Sequence, residues 1–213
     1  IAKHPHGMVP LLLAGNRHGV AHLDPQNASI IANYRLDEAR RYAVNAADFI
    51  QDGRLLATHS QLGLVSWDAP DRPMVKIGDA SIDSARLLRV RAGGRNAYFT
   101  SHDSLMKFDL GTNEIEVVKT FQGRVATSLE IAGSLAVVGD TAGAVHLVDL
   151  KSPLRELPHL LVGEKVYTLG LLNWRGSTWV AAGVKRRTGV YMILKELRGE
   201  LPELMLNVPE RIH

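Results

Sequence analysis

Nine histidines and no cysteine stand in a chain of 213 residues, so a metal site here would have to be built from imidazole and carboxylate. His18, His59 and His102 each run a few residues ahead of an aspartate, Asp24, Asp68 and Asp109, and imidazole is a common zinc ligand. The gaps are six, nine and seven residues. Unequal offsets do not bring three rings to one point, so the reading is of polar loop histidines and no bound metal. His4 and His6 flank a turn, a spacing that marks a solvated hairpin more often than a chelate. Serine, histidine and aspartate all occur, yet no G-x-S-x-G elbow is present to expose a serine nucleophile. Asp103 and Asp140 have the residue type for a paired acid and base acting on a glycosidic bond, although aspartate is commoner in turns as a backbone acceptor. Gly93-Gly94 lies between two strand signals with no helix start behind it, so no phosphate cradle is expected. The sequence calls for no cofactor.

Short strands must carry these side chains. Arg41 to Asp68 reads most plainly: Tyr42 to Ile50 is a strand signal, Gln51-Asp52-Gly53-Arg54 a hairpin turn, Leu55 to Thr58 a second strand, and Gln61-Leu62-Gly63 a turn into Leu64 to Trp67. The acidic residue that closes such a third strand recurs at Asp24, Asp68, Asp109 and Asp149, with spacings of 44, 41 and 40 residues, and a fifth copy puts Leu194 in that place 45 residues later. A second series of turns, Gly7, Gly53, Gly94, Gly133 and Gly176, keeps step with the first. Fourth strand signals follow at Ser29 to Tyr34, Met74 to Ile77, Ile115 to Phe121, His159 to Val162 and Leu204 to Val208. Proline or glycine precedes each, as suits an edge strand. The second strands (LLLAG, LLAT, AYFT, AVVG, VAAG) are continuous apolar runs, the pattern of burial on both faces.

A period of about 40 to 45 residues with several strands per unit is the signature of a β-propeller. The closing Ser66-Trp67-Asp68 resembles the end of a WD repeat. That resemblance covers nearly the whole chain but is specific only in the second copy. No Gly-His dipeptide precedes an inner strand, and tryptophan takes the third-strand place only at Trp67, with Trp174 and Trp179 elsewhere. The family's hydrogen-bonded His, Ser or Thr, Asp and Trp network therefore does not carry over, and the resemblance implies a divergent WD-repeat-like propeller, with a quinoprotein-like or other non-WD propeller as the alternative. The expected fold is all-β, a β-propeller of four-stranded antiparallel blades forming one domain over 1–213, with blades near 1–37, 38–79, 80–121, 122–163 and 164–213. Five blades allow either a closed five-blade ring or an arc of a seven- or eight-blade ring. Because the first turn follows Ile1 almost at once, a longer polypeptide is expected, with remaining blades supplied upstream or by another chain.

Charge narrows the partner. The chain carries 25 basic and 22 acidic residues for a formal charge of +3, short of the contiguous basic track and stacking aromatics that nucleic acid requires. Apolar runs such as Val9 to Ala14 are too short to cross a bilayer and no signal peptide is evident, so no membrane contact is expected. Absence of cysteine fits a reducing, cytoplasmic setting. What remains is recognition of a protein partner by the rim where second-to-third-strand turns meet inter-blade loops. Its candidate residues are Arg17, His18, Arg40, Arg41, His59, His102, Asp103, Arg124, Lys165, Lys185, Arg186 and Arg187. The Lys185-Arg186-Arg187 loop suits an acidic segment. The expectation is a non-catalytic scaffold, the docking or sensor module of a larger protein. The alternative is a propeller hydrolase or lyase with carboxylates in the central funnel.

Overall fold

A computed structural model describes residues 11–15, 19–36, 43–50, 52–78, 85–90, 95–174, 177–186 and 189–197, and among them every regular element is a β-strand. Antiparallel pairing in sequence order builds five sheets. The first holds β1 (Leu11–Gly15), β2 (Gly19–Leu23) and β3 (Ile30–Tyr34). The second holds β4 (Val44–Phe49), β5 (Leu55–His59), β6 (Gly63–Trp67) and β7 (Val75–Ile77), and the third β8 (Ala85–Val90), β9 (Asn96–Ser101), β10 (Ser104–Asp109) and β11 (Ile115–Thr120). The fourth holds β12 (Ala126–Ala132), β13 (Leu135–Asp140), β14 (Ala144–Asp149) and β15 (Leu160–Leu161), and the last β16 (Val166–Trp174), β17 (Ser177–Arg186) and β18 (Gly189–Glu196). The expected outer strand at Leu204 to Val208 and the turns at Gly7, Gly94 and Gly176 lie outside the described residues. The chain divides into two compact units, Ile1–Val117 and Val118–His213.

Local chemistry sets the turns. Gly53 and Gly133 sit at φ 87° and 57°, a left-handed backbone that glycine adopts without a Cβ clash. In three of the sheets the acidic residue that closes the third strand acts as a turn acceptor. Asp24 Oδ1 takes the Gln26 N–H at 2.8 Å, Asp109 Oδ1 takes those of Gly111 and Thr112 at 2.7 and 3.1 Å, and Asp149 Oδ1 takes that of Lys151 at 2.9 Å. Each carboxylate turns the chain toward the outer strand by satisfying backbone donors that the ladder leaves unpaired.

Packing follows the two-residue alternation of strand side chains. In the first unit, Leu55, Ala57, Val65 and Trp67 of the second sheet meet Val20 and Tyr34 of the first. Leu56 and Leu64, on the other face of that sheet, meet Ala97, Phe99 and Phe108 of the third. Burial on both faces explains why these strands lack polar alternation. In the second unit, Leu135, Val137, Val145 and Leu147 pack on Val166, Val180, Ala182 and Val184. Each valine, leucine or phenylalanine among them contributes about 1.5–3 kcal/mol when fully buried.

A β-bulge recurs at one place in four inner strands, between Val44 and Ala46, Ala85 and Leu88, Ala126 and Ser128, and Val166 and Thr168. The extra residue re-aims a side chain toward the neighbouring sheet. Asn45 Nδ2 thereby donates to the Ala85 carbonyl at 2.7 Å, and beside it Thr58 Oγ1 of second strand β5 donates to that of Arg86 at 2.9 Å. In the second unit Thr127 Oγ1 donates in the same way to the Val166 carbonyl. Polar links thus join inner strands where the apolar faces meet.

Candidate functional site

Within each unit the turn after a second strand is tied to the entrance of its own inner strand. The Ser60 N–H donates to the Ala43 carbonyl and the Thr141 N–H to that of Val125, both at 3.1 Å. One end of each of these sheets therefore gathers the residues of two separate segments. Asp140 organises the best-defined example. It closes β13, is fully buried, and its Oδ1 accepts the N–H groups of Ala142 and Ala144 at 2.8 and 2.9 Å. Its Oδ2 lies 2.9 Å from His146 Nε2 and 3.5 Å from Arg124 Nη1. Burial pushes its carboxyl up, but the His146 hydrogen bond and the N–H groups of Ala144 and Ala142 outweigh burial and hold it below the ordinary carboxylate value. Gly143, at φ 84°, lets the turn close: a Cβ there would lie 2.5 Å from the Glu164 backbone nitrogen.

His59 occupies the equivalent place at the end of β5. It pairs with Val44 as Asp140 pairs with Ala126, and its Nδ1 accepts the Gln61 and Leu62 N–H groups, each at 3.2 Å. Imidazole and carboxylate do the same work, a lone pair pointed at turn donors. This corrects the expectation that His59 lines an exposed rim: its side chain is fully buried and offers a partner no surface. His102 is exposed, at φ 51° in the tight turn between β9 and β10, with Asp103 half-buried beside it. Lys165 is exposed with its Nζ 4.8 Å from the centre of the Tyr167 ring.

The basic loop is also corrected in part. Lys185 and Arg186 belong to β17, where they pair with Val190 and Gly189 of β18, so this hairpin runs two pairs beyond Val184, the residue equivalent to His59 and Asp140. Valine offers no acceptor to turn the chain there, and the ladder continues. Arg17, His18, Arg40, Arg41 and Arg187 lie outside the described residues. Among the described residues no three His, Asp or Glu side chains are grouped to hold a metal ion.

Beside Asp140 the second unit carries a groove of about 600 Å³ lined by Phe121, Arg124, His146, Arg155, Glu156 and His159 among others. The His146 ring stands 4.8 Å from Phe121 and 6.5 Å from His159, centroid to centroid, tilted by 35° and 32°. Arg155 Nη1 lies 3.9 Å from Asp149 Oδ2.

In sequence the chain matches no known family and no curated protein. In structure it is similar to the computationally designed Ika8 protein, with a TM-score of 0.59 and 14% identity over 83% of this chain and 52% of that one. It is similar to the extracellular domain of BT4673 from B. thetaiotaomicron, with a TM-score of 0.62 and 12% identity over 86% of this chain and 25% of that one. The computationally designed Ika4 protein gives a TM-score of 0.59 and 14% identity over 75% of this chain and 94% of its own. The chain thus spans about half of Ika8 and a quarter of the BT4673 domain. At these identities the likeness speaks for the all-β fold alone.

Of the groove residues only Arg124 is legible from its place in the repeat. His146 has a signal of its own, a polar residue inside the apolar strand Ala144–Asp149, six residues after a loop aspartate. Phe121 and His159 are read from sequence only as the ends of fourth-strand signals and Arg155 has no signal, and the approach of all three to β14 is a tertiary event.

Proposed function

We propose that this chain is a non-catalytic β-propeller scaffold that docks a protein partner on the rim formed by its second-to-third-strand turns. The observation that carries the reading is the pairing of two such turns with an inner-strand entrance, at Ser60 with Ala43 and at Thr141 with Val125. It concentrates charged loop residues, Arg124 and Lys165 among them, at one end of the sheets and leaves the opposite hairpins to local turn chemistry. Sheets joined inner strand to inner strand by bulge side chains favour the propeller arrangement, whether as a closed five-blade ring or as an arc of a seven- or eight-blade ring. Trp67, buried against the first sheet with its Nε1–H donating to the Arg35 carbonyl at 3.0 Å, supports kinship with the WD repeat. The hydrolase or lyase alternative loses its best carboxylate, because Asp140 is engaged by two turn donors and His146.

Site-specific photocrosslinking tests this reading. A photoreactive residue at Lys165 or Lys185 should capture a defined partner, while one at Lys76 on outer strand β7 should not. Equal capture from all three positions would overturn the rim assignment.

A further inference from the structure

We infer that the groove beside β14 seats the carboxylate side chains of an acidic partner segment, with Arg124 and Arg155 as its cationic anchors. This deepens the scaffold reading and rests on it. Both arginines belong to oriented ion pairs. The Arg124 side chain is 46% exposed above Asp140 at 1%, and that of Arg155 43% exposed above Asp149 at 8%. Negative ends lie beneath the surface, each already held by backbone N–H groups at 2.8 to 2.9 Å, and positive ends face solvent. An incoming carboxylate meets the guanidinium forks without displacing the buried aspartates, and planar forks match carboxylates well. The Arg124 separation of 3.5 Å is longer than a charge-assisted hydrogen bond of about 2.7–2.9 Å, so that internal pair is loose. Among the described residues Glu156 is the one acid that lines the groove itself.

The wall suits a chain segment better than a bare ion. His146 and His159 present their rings in a row, backed by the buried Phe121, a surface for the methylenes and backbone of a peptide, and a groove of about 600 Å³ lies within the size range that holds a drug-sized ligand. Asp140 acts as a positioning residue. Its bond to His146 Nε2 fixes that ring between Phe121 and His159, while Arg124 is drawn to the same carboxylate.

The test uses the full chain and a short fluorescein-labelled peptide rich in Asp and Glu, read by anisotropy at low and physiological ionic strength. Arg124→Gln with Arg155→Gln should weaken binding about tenfold or more, the cost of one lost charge-assisted hydrogen bond, and flatten its salt dependence. Lys185→Ser, Arg186→Ser and Arg187→Ser together should change it less than about twofold, within the usual reach of a distant surface change. In the unsubstituted protein, amide NMR signals of Phe121, Arg124 and His146 should shift on peptide addition while those of β18 stay in place, a readout independent of any variant's folding. Unmoved groove signals, or binding insensitive to the arginine pair, overturn the inference. Binding lost only with the Lys185 to Arg187 variant overturns it too, but leaves the rim scaffold standing. Displacement of the peptide by micromolar inorganic phosphate would reassign the groove to a free small anion. Failure of the rim photocrosslinks with the groove signals still shifting would sink the scaffold reading instead.

Discussion

At the scale of the residue, Asp140 and Trp67 show how much one side chain holds. Asp140 answers three donors from a buried position, so Asp140→Ala leaves the buried Ala144 N–H unpaired and takes the acceptor from the turn N–H of Ala142. A loss of about 1.5–3 kcal/mol in urea unfolding is expected; a loss under about half a kcal/mol would place the carboxylate in solvent. Because its native pKa lies below the ordinary value, the unfolded chain takes up the proton more readily. The carboxylate's contribution is full above the unfolded pKa of about 4 and is lost as pH falls through the lower native value. Asp140→Asn should therefore flatten the acid limb of the stability profile below about pH 4. Trp67 packs on Tyr34 in an edge-on contact at 6.2 Å, and Trp67→Ala should destabilise by about 3–5 kcal/mol, measured by the shift of the denaturation midpoint.

At the scale of the element, two glycine turns separate conformational from steric cost. Gly53 and Gly143 share a positive φ, 87° and 84°, but a Cβ at Gly53 meets nothing within 4 Å whereas at Gly143 it meets Glu164 and Gly163 backbone atoms at 2.5 to 2.9 Å. Gly53→Ala should cost about 1–2 kcal/mol for the left-handed backbone alone. Gly143→Ala should cost clearly more, because the turn must also move off the entrance to β16. Equal losses in thermal unfolding of the two variants would mean that the turn after β13 does not contact that entrance. The register of the last hairpin belongs to this scale as well: Lys185 and Arg186 pair in the ladder with Val190 and Gly189, where the sequence reads as a loop.

At the scale of the whole molecule, protection should be graded across every sheet. β5 and β13 are buried along their full length, while β7 and β11 are half-buried at best. Hydrogen exchange should be slowest in the second strands, β5, β9 and β13, and fastest in the outer strands, β7 and β11, since local opening needs less apolar exposure there. Uniform protection across the four strands of a sheet would contradict this layering. The same gradient suits the proposed recognition at the turns, where side chains can adjust while the second strands hold the sheets in register.

Strand positions were legible because they depend on neighbours in sequence. The Asp-Gly turn at Gly53, the apolar runs of β5 and β13 and the acidic residues closing the third strands all act over a few residues, and spacing alone reveals such couplings. The outer strands at Ile30–Tyr34, Val75–Ile77 and Ile115–Thr120 fell where proline, glycine and alternation put them. The buried role of His59 was not legible, because an imidazole and a carboxylate become equivalent only when a closed turn points its N–H groups at both. The groove was not legible either. Arg124, His146 and Arg155 come from three segments whose convergence depends on how the loop after β14 folds back beside the strand, and no local periodicity encodes a contact between segments that far apart in sequence.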